Sequence, residues 1–209
     1  MRSTTIDGLG KVASISWMRL WKTGAAMSSL QKSSAGPNAL EPMGIGSSHG
    51  RIAIFAAPRA VTTHVTWSIN DALGRPNELR WEPQPLLPGT WRTSLSWNGL
   101  IGTGARLASA LRSWHYLHFE IYEASLHGSD GSLYMFTPEL GLFRANIGPH
   151  GDIMVNEHQL HSVISSHLKE SDVCNHIEKL LGAPWNEVLE PFRRIEIDGT
   201  EDLIGRISV

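Results

Sequence analysis

Residues 90–98 alternate with period two: Trp91, Thr93, Leu95 and Trp97 stand between Arg92, Ser94 and Ser96. A strand with one buried and one polar face requires that period, and an amphipathic helix cannot hold it. The same alternation recurs twice nearby. Leu79 and Trp81 stand between Glu78, Arg80 and Glu82, and Leu117, Phe119 and Ile121 alternate with His118, Glu120 and Tyr122. Between these segments the period changes to that of a helix. Val65, Ile69, Ala72 and Leu73 share one face after Pro58 and before Gly74, and Leu107, Leu111 and Trp114 share one after Gly99–Gly104. The short apolar run Arg51–Ala57 comes before them all. The resulting order is βαββαβ. It predicts an α+β domain with a ferredoxin-like core: a four-stranded sheet with both helices on one face. The predicted core is Ile52, Ile54, Val65, Ile69, Leu79, Trp81, Leu95, Trp97, Leu107, Leu111, Phe119 and Ile121.

Extra elements follow. Ser132–Thr137, Leu142–Asn146 and Asp152–Val155 read as short strands. Helices are expected over 157–168 and 172–181, and over 185–193, where Pro191 should kink or end the last one. Residues 50–194 therefore form the predicted domain, and 195–209 an acidic tail with room for one further strand. Residues 1–49 read as an extension, either disordered or translated from a mistaken start codon, with Met27 and Met43 as later starts. Trp17, Leu20 and Trp21 would share a face of a short basic helix, but the composition around them argues against contact with a membrane.

Charge runs from +3 over residues 1–49, through zero over 50–156, to −5 over 157–209, for a total of −2. No strong field attracts nucleic acid. The polar sheet face, expected to be open, carries Arg80, Arg92 and Tyr122 but also Glu78, Glu82 and Glu120, which disfavours RNA. The single cysteine, Cys174, excludes an internal disulfide framework and points to a reducing, cytoplasmic setting. Its helical position beside Ile177 suggests a small packed side chain rather than a nucleophile.

Several separated segments carry a family resemblance: Ala57-Pro58-Arg59 through Trp67; Leu79-Arg80-Trp81-Glu82-Pro83-Gln84-Pro85; Pro88-Gly89; Gly102-Thr103-Gly104-Ala105-Arg106-Leu107-Ala108; Leu111-Arg112-Ser113-Trp114; Thr137-Pro138-Glu139-Leu140-Gly141; Leu181-Gly182; Trp185; and Leu189-Glu190-Pro191-Phe192-Arg193. In this order, over about residues 50–193, the chain resembles the actinobacterial family catalogued as domain of unknown function 3145. The resemblance implies an actinobacterial cytoplasmic protein. It brings no catalytic or binding residues with it.

The residues themselves offer one anion site. Gly102, Thr103, Gly104 and Arg106 lie between a strand and a helix, where free N–H groups and the helix dipole favour negative charge. The topology puts Arg75 on the same sheet edge. The segment lacks the Lys-Ser/Thr of a P-loop and the third glycine of a dinucleotide fingerprint. A metal site is not expected, although His158 and His161 share a helical face. No serine elbow or matched carboxylate pair is present, so no catalytic residue and no cofactor are assigned. The chain reads as a module binding a small anionic ligand or a protein partner. One alternative is an enzyme of unrecognised type using His64, His118 or Tyr122 with arginines. The other is a structural interaction domain docking through its acidic C-terminal helices. A pocket of Arg, His and Tyr with perturbed pKa values would favour the enzyme, and an exposed apolar patch the interaction domain.

Overall fold

A computed structural model describes residues 46–124, 130–166 and 170–205. The expectations for residues 1–45 lie outside that set. Among the described residues there are seven strands in one antiparallel sheet, and five α-helices. In chain order these are β1 (Ser47–Pro58), α1 (Thr62–Leu73), β2 (Glu82–Pro83), β3 (Thr90–Leu100), α2 (Thr103–Leu111), β4 (His118–Glu123), β5 (Gly131–Thr137), β6 (Gly141–Ile147), β7 (Ile153–Met154), α3 (Glu157–Ser165), α4 (Glu170–Leu180) and α5 (Ala183–Gly205). The sheet order is β2-β3-β1-β4-β5-β6-β7.

One face of the sheet carries α1 and α2. Ile52 and Ile54 of β1, Trp97 of β3, Phe119 and Ile121 of β4, and Tyr134 and Phe136 of β5 pack there against Val65, Ile69, Leu107 and Leu111. Leu79, Trp81 and Leu95 complete this core from its partly buried margin. Trp97 leaves 2% of its surface exposed, and its ring defines Gly50. A Cβ at that position would lie 2.4 Å from the indole and 2.1 Å from the Tyr122 carbonyl oxygen.

Three expectations are corrected. First, Glu78–Trp81 do not join the sheet; only Glu82–Pro83 pairs with β3. The loop is held instead by Trp81, whose Nε1 donates to Thr66 Oγ1 at 3.0 Å. Second, β1 begins at Ser47, ahead of the apolar run, because its first residues pair by backbone with Leu100, Gly99 and Asn98. Third, Pro191 does not stop the last helix, and residues 195–205 are helical rather than a strand. Pro191 and Glu187, whose carbonyl has no N–H to accept from at Pro191, are both exposed, so the helix can continue without burying an unpaired group.

The second sheet face is not open at its centre. α5 lies across it: Phe192 meets Phe55 at 6.2 Å and His118 at 5.3 Å, Trp185 meets Phe143 at 5.1 Å, and Trp185 Nε1 donates to the Gly141 carbonyl at 2.9 Å. β4 is consequently buried on both faces, although its sequence alternates. α3 opens with a reciprocal cap between Asn156 and Gln159. No described helix is long and apolar enough to cross a membrane.

Candidate functional site

The start of α2 combines a left-handed Gly102, at φ +88°, with the first-turn amides that a helix cannot bond internally. These amides are occupied. Gly102 N–H donates to Glu123 Oε1 at 2.7 Å and Gly104 N–H to Glu123 Oε2 at 3.0 Å. Glu123 comes from the end of β4 and is buried. Gly104 admits it closely, since a Cβ there would lie 2.8 Å from Oε2. Thr103 faces elsewhere: its hydroxyl donates to the Leu100 carbonyl at 2.7 Å. Arg106 turns to the other helix, donating from Nη2 to the Ala72 carbonyl at 2.5 Å. A guanidinium at the negative end of α1 and a carboxylate at the positive end of α2 are each favourable to a helix dipole. Of the four predicted ligand residues only Gly102 and Gly104 meet an anion, and it is a side chain of the sheet; Thr103 and Arg106 are engaged elsewhere.

The second polar group lies under α5. Arg193 Nε donates to Glu120 Oε2 at 2.9 Å, and Nη2 reaches the same oxygen. Nη2 also lies 3.3 Å from Met135 Sδ. Glu120 is 0% exposed and Arg193 2%. His118, Tyr122 and Arg51 lie on the same side of the sheet. Burial holds His118 below its ordinary pKa, while Glu139 acts the other way. Burial also raises Tyr122, and it lowers Arg51 against the attraction of Glu120. Such a group would suit acid–base chemistry if a substrate could reach it. Within it Glu120 and Arg193 are covered, whereas Tyr122 and Arg51 are half-buried. A cleft of about 290 Å³ is lined by other residues, among them Asp130, Arg144, Asn146, Met154, Asn156 and Gln159. Two of those side chains are spent on the α3 cap.

The third group is aromatic and outward-facing. Trp67 on α1 is 61% exposed, and Tyr116, after α2, is 44% exposed. His64 links them. It meets Trp67 edge-on at 5.1 Å and stacks on Trp114 at 6.3 Å, and Trp114 meets Tyr116 at 6.2 Å. The four rings thus touch in sequence, with Trp67, His64 and Tyr116 exposed and Trp114 half-buried against the core beneath them.

The family model described as "Protein of unknown function (DUF3145)" matches residues 52–202. The chain belongs to the DUF3145 family. No curated protein and no solved structure matches it.

In this DUF3145 chain the remaining sequence candidates separate. Among the described residues no three His, Cys, Asp or Glu side chains gather as a metal site. His161 Nε2 instead lies 3.6 Å from Glu157 Oε1, both exposed. Cys174 is exposed on α4 rather than packed, because the Ile177 beside it is itself at the surface. Glu123, Arg193 and the surface row of rings were missed by sequence reasoning. Glu123 carried no local signal, since its role depends on β4 ending beside α2. The row did carry one: Trp67 lies off the Val65/Ile69 face, and His64 is three residues before it.

Proposed function

We propose that this chain is a binding module that engages a protein partner through the row Trp67–His64–Trp114–Tyr116. The observation that carries this reading is the exposure of Trp67 within a set of touching rings. Large exposed rings favour aggregation unless they are used, and Trp and Tyr supply most of the binding energy at protein interfaces. The module is built on a ferredoxin-like core. The order β2-β3-β1-β4, with one helix after β1 and one after β3, supports that description. One cysteine in the whole chain supports a cytoplasmic setting.

The enzymatic alternative, through His64, His118 or Tyr122 with arginines, is supported less well. His118 is buried, and Glu120 and Arg193 beside it are sealed beneath α5, while His64 is exposed and Tyr122 half-buried. A small anion at Gly102, Thr103, Gly104 and Arg106 is the rival binding reading. It would have to displace Glu123 from two amides and draw Arg106 from Ala72. Phosphate, nucleotides and small carboxylates are therefore expected to leave the amide resonances of Gly102 and Gly104 unmoved; a saturable shift there would favour the rival.

A photo-cross-linking side chain at Ser68, one position from Trp67, tests the partner reading in the native cell. Discrete protein adducts that disappear in the Trp67→Ala chain are expected. The same adducts with and without Trp67 would overturn it.

A further inference from the structure

Independently of the partner reading above, we propose that the chain pairs with a second copy of itself along the free edge of β3. The two strands run antiparallel about a two-fold axis at Trp97, and the two sheets become one.

Unpaired backbone is the first observation. β1 lies along one side of β3 from Thr90 to Leu100. On the other side only Trp91 and Arg92 are matched, by Pro83 and Glu82. Two bonds give the direction of the backbone groups. Ile101 N–H donates to the Gly46 carbonyl at 2.7 Å, and Gln84 N–H donates to the Thr90 carbonyl at 2.9 Å. Odd-numbered residues of β3 thus turn N–H and C=O toward β1, and even-numbered ones turn theirs outward. Ser94, Ser96, Asn98 and Leu100 therefore present backbone groups that no described strand pairs.

The second observation is that nothing guards this stretch. Edge strands are commonly kept from pairing by shortness, proline or charge. At the far side of the sheet β7 has two residues, Arg144 stands on β6, and the Gly141 carbonyl already accepts from Trp185 Nε1. Beside β2, Pro83 and Pro85 serve the same end. From Thr93 to Gly102 there is neither a charged residue nor a proline.

Length and register select the occupant. An entering strand is stopped at one end by β2, which holds Arg92. β3 itself ends at Leu100 and turns at Gly102. An antiparallel copy centred on Trp97 sets Ser94 against Leu100 of the second copy, and Ser96 against its Asn98. All four outward residues are then paired. A shift one way runs Leu100 of the second copy into β2, and a shift the other way leaves Ser94 facing a turn. Side chains agree with this register. Ser96 and Asn98 are exposed and neutral, so no like charges meet across the strands. Half-buried Leu95 meets Gly99 of the second copy, which has no side chain to oppose it. The Trp97 ring lies over Gly50 of β1 and leaves the axis clear. With no charge along it, the edge offers a foreign segment only backbone to recognise, whereas its own sequence matches it in length, register and neutrality.

Sedimentation velocity on the full-length protein, from micromolar to millimolar concentration, tests the proposal together with amide hydrogen exchange. A monomer–dimer equilibrium is expected, with exchange at Ser94, Ser96, Asn98 and Leu100 slowing as the dimer fills. Ser96→Lys with Asn98→Lys should weaken association at least tenfold, and so should Ser96→Glu with Asn98→Glu, with unchanged thermal midpoints. Mixed, the two variants should dimerise, since each lysine then faces a glutamate. A monomer across the range, a double-lysine chain that dimerises as the unaltered chain does, or a mixture no more associated than its parts each overturns the proposal. Slow exchange at the four amides in a chain that stays monomeric also overturns it, because the same chain then covers its own edge. The cross-links at Ser68 do not depend on any of these outcomes, so the partner reading stands or falls separately.

Discussion

The two faces of the sheet are buried by different chemistry. Beneath α1 and α2 the contacts are almost wholly apolar, centred on Trp97, Phe119, Ile69 and Leu107. Beneath α5 the centre is an ion pair, Glu120–Arg193, with His118 and Met135 beside it and Phe192 and Trp185 toward the flanks. Apolar burial stabilises in proportion to area and tolerates changes of detail. A buried ion pair adds little net stability but is costly to break on one side only. The first face therefore makes the domain fold, and the second fixes where the C-terminal helix lies. The linked rings belong to the first layer: Trp114 packs against its core, whereas Trp67 and Tyr116 look outward and add little to either face.

Substitutions should separate these regions by size of effect. Trp97→Ala should cost about 3–5 kcal/mol in urea unfolding, as for other fully buried tryptophans; a loss under about 1 kcal/mol would remove Trp97 from the core. On the other face, Arg193→Met should cost about 3 kcal/mol by leaving Glu120 charged and unpaired. Adding Glu120→Leu should then recover most of that loss, and a double variant no more stable than the single would mean the pair itself drives packing. Glu123→Ala should cost about 1–3 kcal/mol, because Gly102 and Gly104 lose a buried acceptor at a helix start. Failure of their amides to exchange faster with solvent would contradict that link.

The α5 face should also answer to acid. His118 is held below its ordinary value of 6.5 by burial. Above that value both folded and unfolded chains are neutral there, and stability is undiminished. As the pH falls below it, the unfolded chain takes up the proton first, so stability declines toward the lowered folded value. His118→Gln should flatten this part of the profile; an unaltered slope between pH 7.5 and 5.5, roughly the span of histidine titration, would assign it to other groups. Smallest of all, Trp67→Ala should change stability by less than about 0.5 kcal/mol. A larger loss would show that the exposed row is part of the core.

Much of this fold is legible in the chain. Alternation at Trp91–Trp97 and Leu117–Ile121, and helical spacing at Val65–Ile69 and Leu107–Leu111, place strands and helices of the first face and much of its core, though not Tyr134 and Phe136 of β5. What they leave out is the partner of each polar side. His118, Glu120 and Tyr122 alternate as a solvent-facing set would, yet Arg193, seventy-three residues beyond Glu120, pairs with Glu120, and Phe192 meets His118. The Gly102–Arg106 segment reads as an anion site, which is sound local chemistry, but the carboxylate at its amides arrives from another strand.

Periodicity is written along the chain, and with it most of the elements, the apolar face and the order in which the strands follow. Hydrophobic burial acts on neighbours three, four or two residues apart, so its record is local. How charge is satisfied is fixed by contacts between distant segments. A carboxylate or guanidinium is stabilised by whichever group lies within a few ångströms, and nothing in the spacing of Glu120, Glu123, Arg106 or Arg193 along the chain states which group that is.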